Sequence, residues 1–214
     1  MPERPSKWHP GVLPVAWSRA KDDLARRSLL DGFYLAGGTG MALQYGHRRS
    51  ADLDLFRETE FDSGDFSNRL RGQEGLERLA VERGTAHMTL HGLKVSFLHY
   101  PYPLLFPLAT FEGLPVADTR DIACMKIQAI GDRGSRRDFV DLYVVAREHG
   151  LGELFMLFMK KYASVAYSRT HYLKALTYFR DAEEDALPEM LQPLQWSTVT
   201  QFFLSETPRL ARLH

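Results

Sequence analysis

The apolar positions of this chain change period as it proceeds. Over residues 14–30, Val15, Ala16, Ala20, Leu24 and the Leu29-Leu30 pair recur at helical spacing with charges between them, which predicts an amphipathic helix. Pro14 suits its first turn, and Gly32 stands just past its end. Before it, residues 1–13 are proline-rich and read as an irregular arm. Residues 33–36 form a short apolar run closed by Gly37-Gly38, the pattern of a buried strand entering a tight turn. A short helix is predicted over 40–45 and a basic loop over 47–50. Residues 52–56 alternate acidic and apolar side chains, so they predict a strand whose two faces differ. After a polar stretch with one helical turn over 66–70, three strands are expected at 76–81, 86–91 and 93–99. Gly84-Thr85 and His91-Gly92 serve as the hairpin turns between them. Pro101, Pro103 and Pro107 then end the sheet region and begin an irregular crossing.

From Asp118 the period is helical. Asp118 caps a predicted helix with Asp121 in the place of a capping-box acid; it carries Ile122, Ala123, Ile127 and Ile130 and stops near Gly131. A basic loop over 133–137 and a helix over 139–148, ended by Gly150, come next. Apolar or amphipathic helical runs follow at 154–162, 171–184 and 196–204. The aromatic residues there (Tyr172, Tyr178, Phe179, Trp196, Phe202, Phe203) suit a helix core better than a base-stacking surface. The fold class expected is α/β (α+β): a core over 14–117 and a helical C-terminal region over 118–214 packed on it.

Composition narrows the setting. Twenty-seven basic residues balance twenty-seven acidic ones in 214, so bulk charge does not demand a nucleic-acid partner, and such a contact would need a local basic patch. The single Cys124 excludes an internal disulfide and a cysteine-based zinc site, and has no catalytic partner near it in sequence. No signal-peptide pattern opens the chain, and no apolar run nears the roughly 20 residues a membrane span needs. A cytoplasmic protein without membrane contact is the expectation.

Candidate chemistry concentrates between residues 34 and 56. Asp52 and Asp54, two apart on a strand, project to one face while Leu53 and Leu55 turn to the core. Two hard-oxygen ligands suit Mg²⁺, which takes one or two carboxylates and fills its shell with water and phosphate oxygens. Gly37 and Gly38 let backbone N–H groups approach an anion, and Thr39 starts a helix whose positive end favours phosphate. Alone, each motif is ordinary: a strand-to-helix turn, or a half-exposed strand. Their order is what points to a nucleoside triphosphate site. Far along the chain, Lys126 lies among Ile122, Ala123, Ala129 and Ile130 on an apolar stripe, where its charge calls for a phosphate or carboxylate partner. Asp138 and Asp141 share a helix face beside Arg133, Arg136 and Arg137, with Asp141 suited to pairing an arginine. His47 and His149 read as surface or loop residues.

Tyr34-Leu-Ala-Gly-Gly-Thr39, Gly46-His-Arg-Arg-Ser50 and Asp52-Leu-Asp-Leu-Phe56 together resemble the nucleotidyltransferase toxins of the AbiEii/AbiGii group, a branch of the polymerase-β-like superfamily. The likeness runs over most of residues 33–205, through Lys126 and Asp138 and more loosely into Ala175-Leu-Thr-Tyr-Phe179. It implies a minimal mixed sheet with flanking helices and transfer of a nucleoside monophosphate from a nucleoside triphosphate to an acceptor hydroxyl. Gly37, Gly38, Thr39, Arg49, Ser50 and Lys126 correspond to nucleotide-binding positions, and Asp52 and Asp54 to the metal-binding pair. Asp138 corresponds to an acid that orients the nucleophile or Lys126. The group also implies a toxin with a cognate antitoxin and tRNA or another RNA as acceptor; a small-molecule acceptor is the alternative. One departure stands out. The strand over 93–99, where such enzymes carry a third carboxylate, offers Ser96, and a neutral hydroxyl replaces an anionic base poorly. That leaves room for a fold that binds nucleotide without turnover.

Overall fold

A computed structural model describes residues 7–212. Of the arm expected over 1–13, positions 1–6 lie outside the described residues, and Pro10–Val12 forms one 3-10 turn. Helix α1 (Trp17–Arg26) begins later than its periodicity suggested, leaving Val15 fully exposed. It buries Trp17, Ala20 and Leu24. The next elements are β1 (Tyr34–Leu35), α2 (Gly37–Tyr45), β2 (Asp52–Arg57), α3 (Ser63–Leu70), β3 (Leu76–Glu82), β4 (Thr85–Leu90) and β5 (Leu93–His99). A hairpin, β6 (Ala109–Phe111) and β7 (Leu114–Val116), completes one mixed sheet in the order β3-β4-β5-β2-β1-β7-β6. Pairings β2–β5 and β1–β7 are parallel; the others are antiparallel. Six helices follow: α4 (Thr119–Asp132), α5 (Arg136–His149), α6 (Leu151–Lys161), α7 (Arg169–Ala175), α8 (Arg180–Glu184) and α9 (Trp196–Leu210).

Alternation along β2 and β5 decides where the site lies. Leu53, Leu55, Val95 and Phe97 turn to one face and close a core with Trp17, Leu24 and Phe66 from α1 and α3. Their neighbours Asp52, Asp54, Lys94 and Ser96 must then face the other way, where a cleft of about 1420 Å³ opens. A second core joins Tyr34, Met41 and Phe56 to Ile122, Phe139, Phe155 and Phe203 of the later helices. The cleft therefore runs between the sheet and the helical part.

Three expectations are corrected. The crossing beyond Pro107 contains β6 and β7, joined by Glu112-Gly113 with φ of 47° and 82°. Pro115 fits because it stands opposite Thr110, one step past the pair Phe111–Leu114, where the missing N–H faces away from β6. Asp121 is no capping-box acid. It is fully buried, accepts from Leu105 N and Phe106 N, and pairs with Lys161 Nζ at 2.7 Å. The basic stretch over 133–137 is only partly a loop, since Arg136 and Arg137 begin α5.

Candidate active site

The strand β1 ends at Leu35 and the chain turns at once into α2, so the first turn of that helix opens on the cleft. Its leading N–H groups have no intrahelical partner, and Gly40 N, bonding Ala36 O at 3.0 Å, is the first to be satisfied within it. Both glycines are demanded by what faces them. Gly37 has φ of 61°, and a Cβ there would sit 2.9 Å from Asp54 Oδ2; at Gly38 a Cβ would meet Arg48 Nη2 at 2.3 Å. The glycine turn, Asp54 and the Arg48 guanidinium are thus in direct apposition. The Thr39 side chain is buried, its hydroxyl bonded to Ser50 Oγ at 2.7 Å and to the Asp52 carbonyl. It ties α2 to the start of β2, leaving the backbone N–H of this turn, rather than the hydroxyl, toward the cleft.

Asp52 and Asp54 both line the cleft. Burial, then the neighbouring Asp52, push the Asp54 carboxyl upward against the opposing pull of Lys126, Ser96 and Arg137. Among the described residues only Arg137 forms an ion pair with Asp52, at 3.7 Å, so the pair stands with its charge largely unmatched. That is the condition under which two carboxylates accept a divalent cation. Among the described residues no third His, Cys, Asp or Glu joins them in a cluster, so water and phosphate oxygens would complete the shell of a Mg²⁺ ion.

Behind this pair lies a buried ionic network. Arg48 grips Asp141 with two bonds, Nε–Oδ1 at 2.7 Å and Nη2–Oδ2 at 2.8 Å. His47 Nε2 lies 2.8 Å from Asp141 Oδ1 and the residue is 1% exposed, so this histidine, expected at the surface or in a loop, is a loop residue turned into the interior. Lys126 Nζ bridges Asp138 at 2.9 Å and Asp141 at 2.7 Å. Asp138 also accepts from Arg133 Nε at 2.9 Å and Ser135 Oγ at 2.6 Å. Burial would raise the Asp138 carboxyl, but the Lys126 ammonium and the Arg133 guanidinium outweigh it and hold the group at about 2. Asp141 is likewise held well below the usual range, burial being outweighed by Lys126 and Arg48. Three cations (Arg48, Lys126, Arg133) face two carboxylates, leaving one positive charge in excess on the cleft wall.

The remaining candidates divide. Arg49 is half-exposed at the cleft rim, paired with Glu189 Oε1 at 2.8 Å. Its backbone N–H bonds Glu189 O, and Arg48 bridges Met190, so residues 185–190 form a strap beside the glycine turn. Arg136 points away, bonding Ala182 O at 2.7 Å and lying over the Trp196 ring. Cys124 is buried, its thiol pushed up to about 12 by burial and by Asp121, which removes it from nucleophilic chemistry.

The sequence matches the family described as nucleotidyl transferase AbiEii toxin, Type IV TA system, over residues 21–86 and 93–212. The chain belongs to this family. An uncharacterized protein of Aquifex aeolicus (strain VF5) is 40% identical over 190 residues, covering 86% of this chain and 90% of the relative. Among solved structures, MenT4, a nucleotidyltransferase toxin of Mycobacterium tuberculosis H37Rv, aligns over 93% of this chain and 86% of its own with TM-score 0.55 at 18% identity. JHP933 of Helicobacter pylori aligns over 94% and 95% with TM-score 0.50 at 16% identity. These likenesses establish the nucleotidyltransferase fold, and family membership makes the chain a nucleotidyltransferase of the toxin type.

Within the AbiEii frame, Arg48 is the cleft residue that sequence reading did not separate from its run. Its mark was the juxtaposition of Gly38 with a basic tetrapeptide, but only the fold shows that Arg48 turns inward and Arg49 outward. No helix among the described residues is long and apolar enough to cross a membrane.

Proposed function

We propose that the chain transfers a nucleoside monophosphate from a nucleoside triphosphate to an acceptor hydroxyl, with pyrophosphate leaving. The observation that carries this reading is the apposition of an anion-binding helix start, at Gly37 and Gly38, to the largely unmatched Asp52–Asp54 pair across less than a side chain's width. A triphosphate carrying Mg²⁺ supplies both the anion and the cation that this geometry calls for. Asp52 and Asp54 hold the metal, which when bound neutralises charge on the phosphates. The N–H groups of Gly37, Gly38 and Thr39 receive the phosphates. Arg48, Ser50 and Lys126 flank them, and Arg49 guards the rim. Asp138, saturated with donors, keeps Lys126 and Arg133 aimed at the cleft. Arg137 and Lys94 offer cationic contacts to an incoming RNA, consistent with tRNA or another RNA as acceptor and with an antitoxin as the partner that restrains the chain.

Calorimetry with each of the four nucleoside triphosphates, with and without Mg²⁺, tests the binding half. Metal-dependent binding to at least one nucleotide is expected, abolished in the Asp52→Ala/Asp54→Ala variant; equal binding by that variant would refute the assignment. Transfer of α-label into total RNA tests the reaction, and Asp54→Asn is expected to lose it. Ser96, beside Asp54, favours a second reading in which nucleotide binds without turnover. Binding without label transfer would establish that one, and label in a small product would replace RNA as the acceptor class.

A further inference from the structure

The cleft has two ends, and β2 runs from one toward the other. Arg48 and Ser50 mark the first, where a Cβ at Gly38 would meet their side chains at 2.3 Å and 3.6 Å. Asp54 comes next, set against Gly37. Phe56 lies two residues further on the same face, roughly 7 Å along the strand. Leu98 of β5 stands directly opposite Phe56, and Tyr100 follows it. Across the cleft, α4 brings Met125, Gln128 and Ala129 to the same end, an i, i+3, i+4 set on one helix face. Leu98, Tyr100 and Met125 pack on the second core with one side and line the cleft with the other.

A triphosphate on the glycine turn accounts for only part of this surface. Its terminal phosphates carry most of its charge and suit Arg48 and Ser50. With those at the first end and the α-phosphate beside Asp54, the nucleoside extends toward Phe56. The reverse placement fails on chemistry, because phosphates over Phe56, Leu98 and Met125 would lose water and gain no partner. A second apolar stretch, Val12 to Ala16, also borders the cleft, but Ser50 N bonds Val12 O at 3.2 Å, which puts it at the phosphate end. Resting on the nucleotidyl-transfer reading above, we infer that Phe56, Leu98 and Met125 seat the base of the nucleoside triphosphate and that Gln128 reads which base it is. The Tyr100 hydroxyl, itself paired with the Tyr162 hydroxyl, donates to Gln128 Oε1 at 3.4 Å. That bond orients the amide and leaves its two N–H donors without a partner among the described residues. They match a ring nitrogen or carbonyl oxygen on a base edge, and the position of such acceptors differs among the four bases.

The test is calorimetry on the full chain with Mg²⁺, comparing inorganic tripolyphosphate with each of the four nucleoside triphosphates. At least one nucleotide is expected to bind about tenfold or more tighter than tripolyphosphate, the scale of one stacked base. Leu98→Ala and Met125→Ala are each expected to weaken that nucleotide several-fold and to leave tripolyphosphate unchanged, which also certifies the fold. Gln128→Leu keeps the bulk and removes the donors. It is expected to level the preference among the four nucleotides, again with tripolyphosphate unchanged. Equal affinity for tripolyphosphate and every nucleotide would overturn the seat and leave the proposed function intact. So would a parallel fall in both affinities in the Leu98 and Met125 variants. If those variants instead bind nucleotide normally but lose label transfer to RNA, this end of the cleft belongs to the acceptor and the inference is overturned. A preference that survives Gln128→Leu would remove Gln128 from the reading of the base. Binding of neither tripolyphosphate nor nucleotide would fell the phosphate site itself, and the seat with it.

Discussion

Gly38 shows how much of the site depends on an atom that is not there. A methyl group at that position would occupy the place of the Arg48 guanidinium, 2.3 Å from Nη2, and since Arg48 is held by two bonds to Asp141 it cannot simply swing aside. Gly38→Ala is expected to displace Arg48 and weaken triphosphate binding by at least about tenfold, or about 1.4 kcal/mol, while circular dichroism shows the fold retained. Unchanged affinity would mean that Arg48 plays no part in the nucleotide site. The buried carboxylates carry a pH signature of definite sign. The Asp138 carboxyl sits at about 2 in the folded chain against an ordinary 3.8. A depressed folded value adds stability above the unfolded value that is lost as pH falls through the folded one, here about 2 kcal/mol. Urea unfolding is therefore expected to show stability level above about pH 5 and falling from about pH 4 to pH 2. Asp138→Asn is expected to flatten part of that slope, and an unaltered slope would sink the ion-pair account. Asp141→Ala leaves Arg48 without its carboxylate inside the protein and takes one of the two carboxylates of Lys126, so a larger cost of about 3–5 kcal/mol is expected in the same measurement.

At the scale of elements, periodicity revealed what periodicity can. The alternation of Asp52, Leu53, Asp54 and Leu55 announced β2 and the direction of its carboxylates, and the apolar stripe around Lys126 announced α4 with a charge needing a partner. The hairpin β6–β7 stayed hidden because three-residue strands leave almost no period and Pro115 reads as a breaker. Asp121 misled for a different reason. Its spacing from Asp118 fits a capping box, yet its partners, Leu105, Phe106 and Lys161, are distant in sequence, and spacing within a helix holds no record of them. His47 is a loop residue as expected, but its burial could not be read for the same reason, since its partner Asp141 lies far along the chain on α5. The Asp121–Lys161 pair now makes its own prediction. Both side chains are fully buried, and Lys161 also donates to Pro103 O at 2.6 Å, so one bond set joins α4, α6 and the crossing loop. Lys161→Met removes one member and leaves Asp121 without its cation. A loss of about 3–5 kcal/mol is expected, seen as a fall in Tm of roughly 10 °C; a change under about 2 °C would show that the pair contributes little.

The whole molecule is built so that neither part of the cleft is complete alone. Asp52, Asp54 and the glycine turn come from the sheet, while Lys126, Arg133 and Asp138 come from α4, α5 and the turn between them. The packing follows the same division. Tyr34, Met41 and Phe56 leave the sheet and α2 to enter the core formed with Ile122, Phe139, Phe155 and Phe203. Exposing three such side chains costs roughly 5–9 kcal/mol in all, comparable with the whole stability of a typical domain, about 5–15 kcal/mol. Arg48 would lose Asp141 at the same time, the carboxylate that holds it against Gly38. A fragment ending at residue 117 keeps all seven strands, since β7 closes at Val116, and so separates the presence of the sheet from the presence of its cover. This fragment is expected to lack a cooperative unfolding transition, to give a poorly dispersed amide spectrum, and to bind no nucleoside triphosphate with or without Mg²⁺. A dispersed spectrum with metal-dependent nucleotide binding would show instead that the sheet carries both fold and site by itself, and that the helices serve the acceptor or a partner alone.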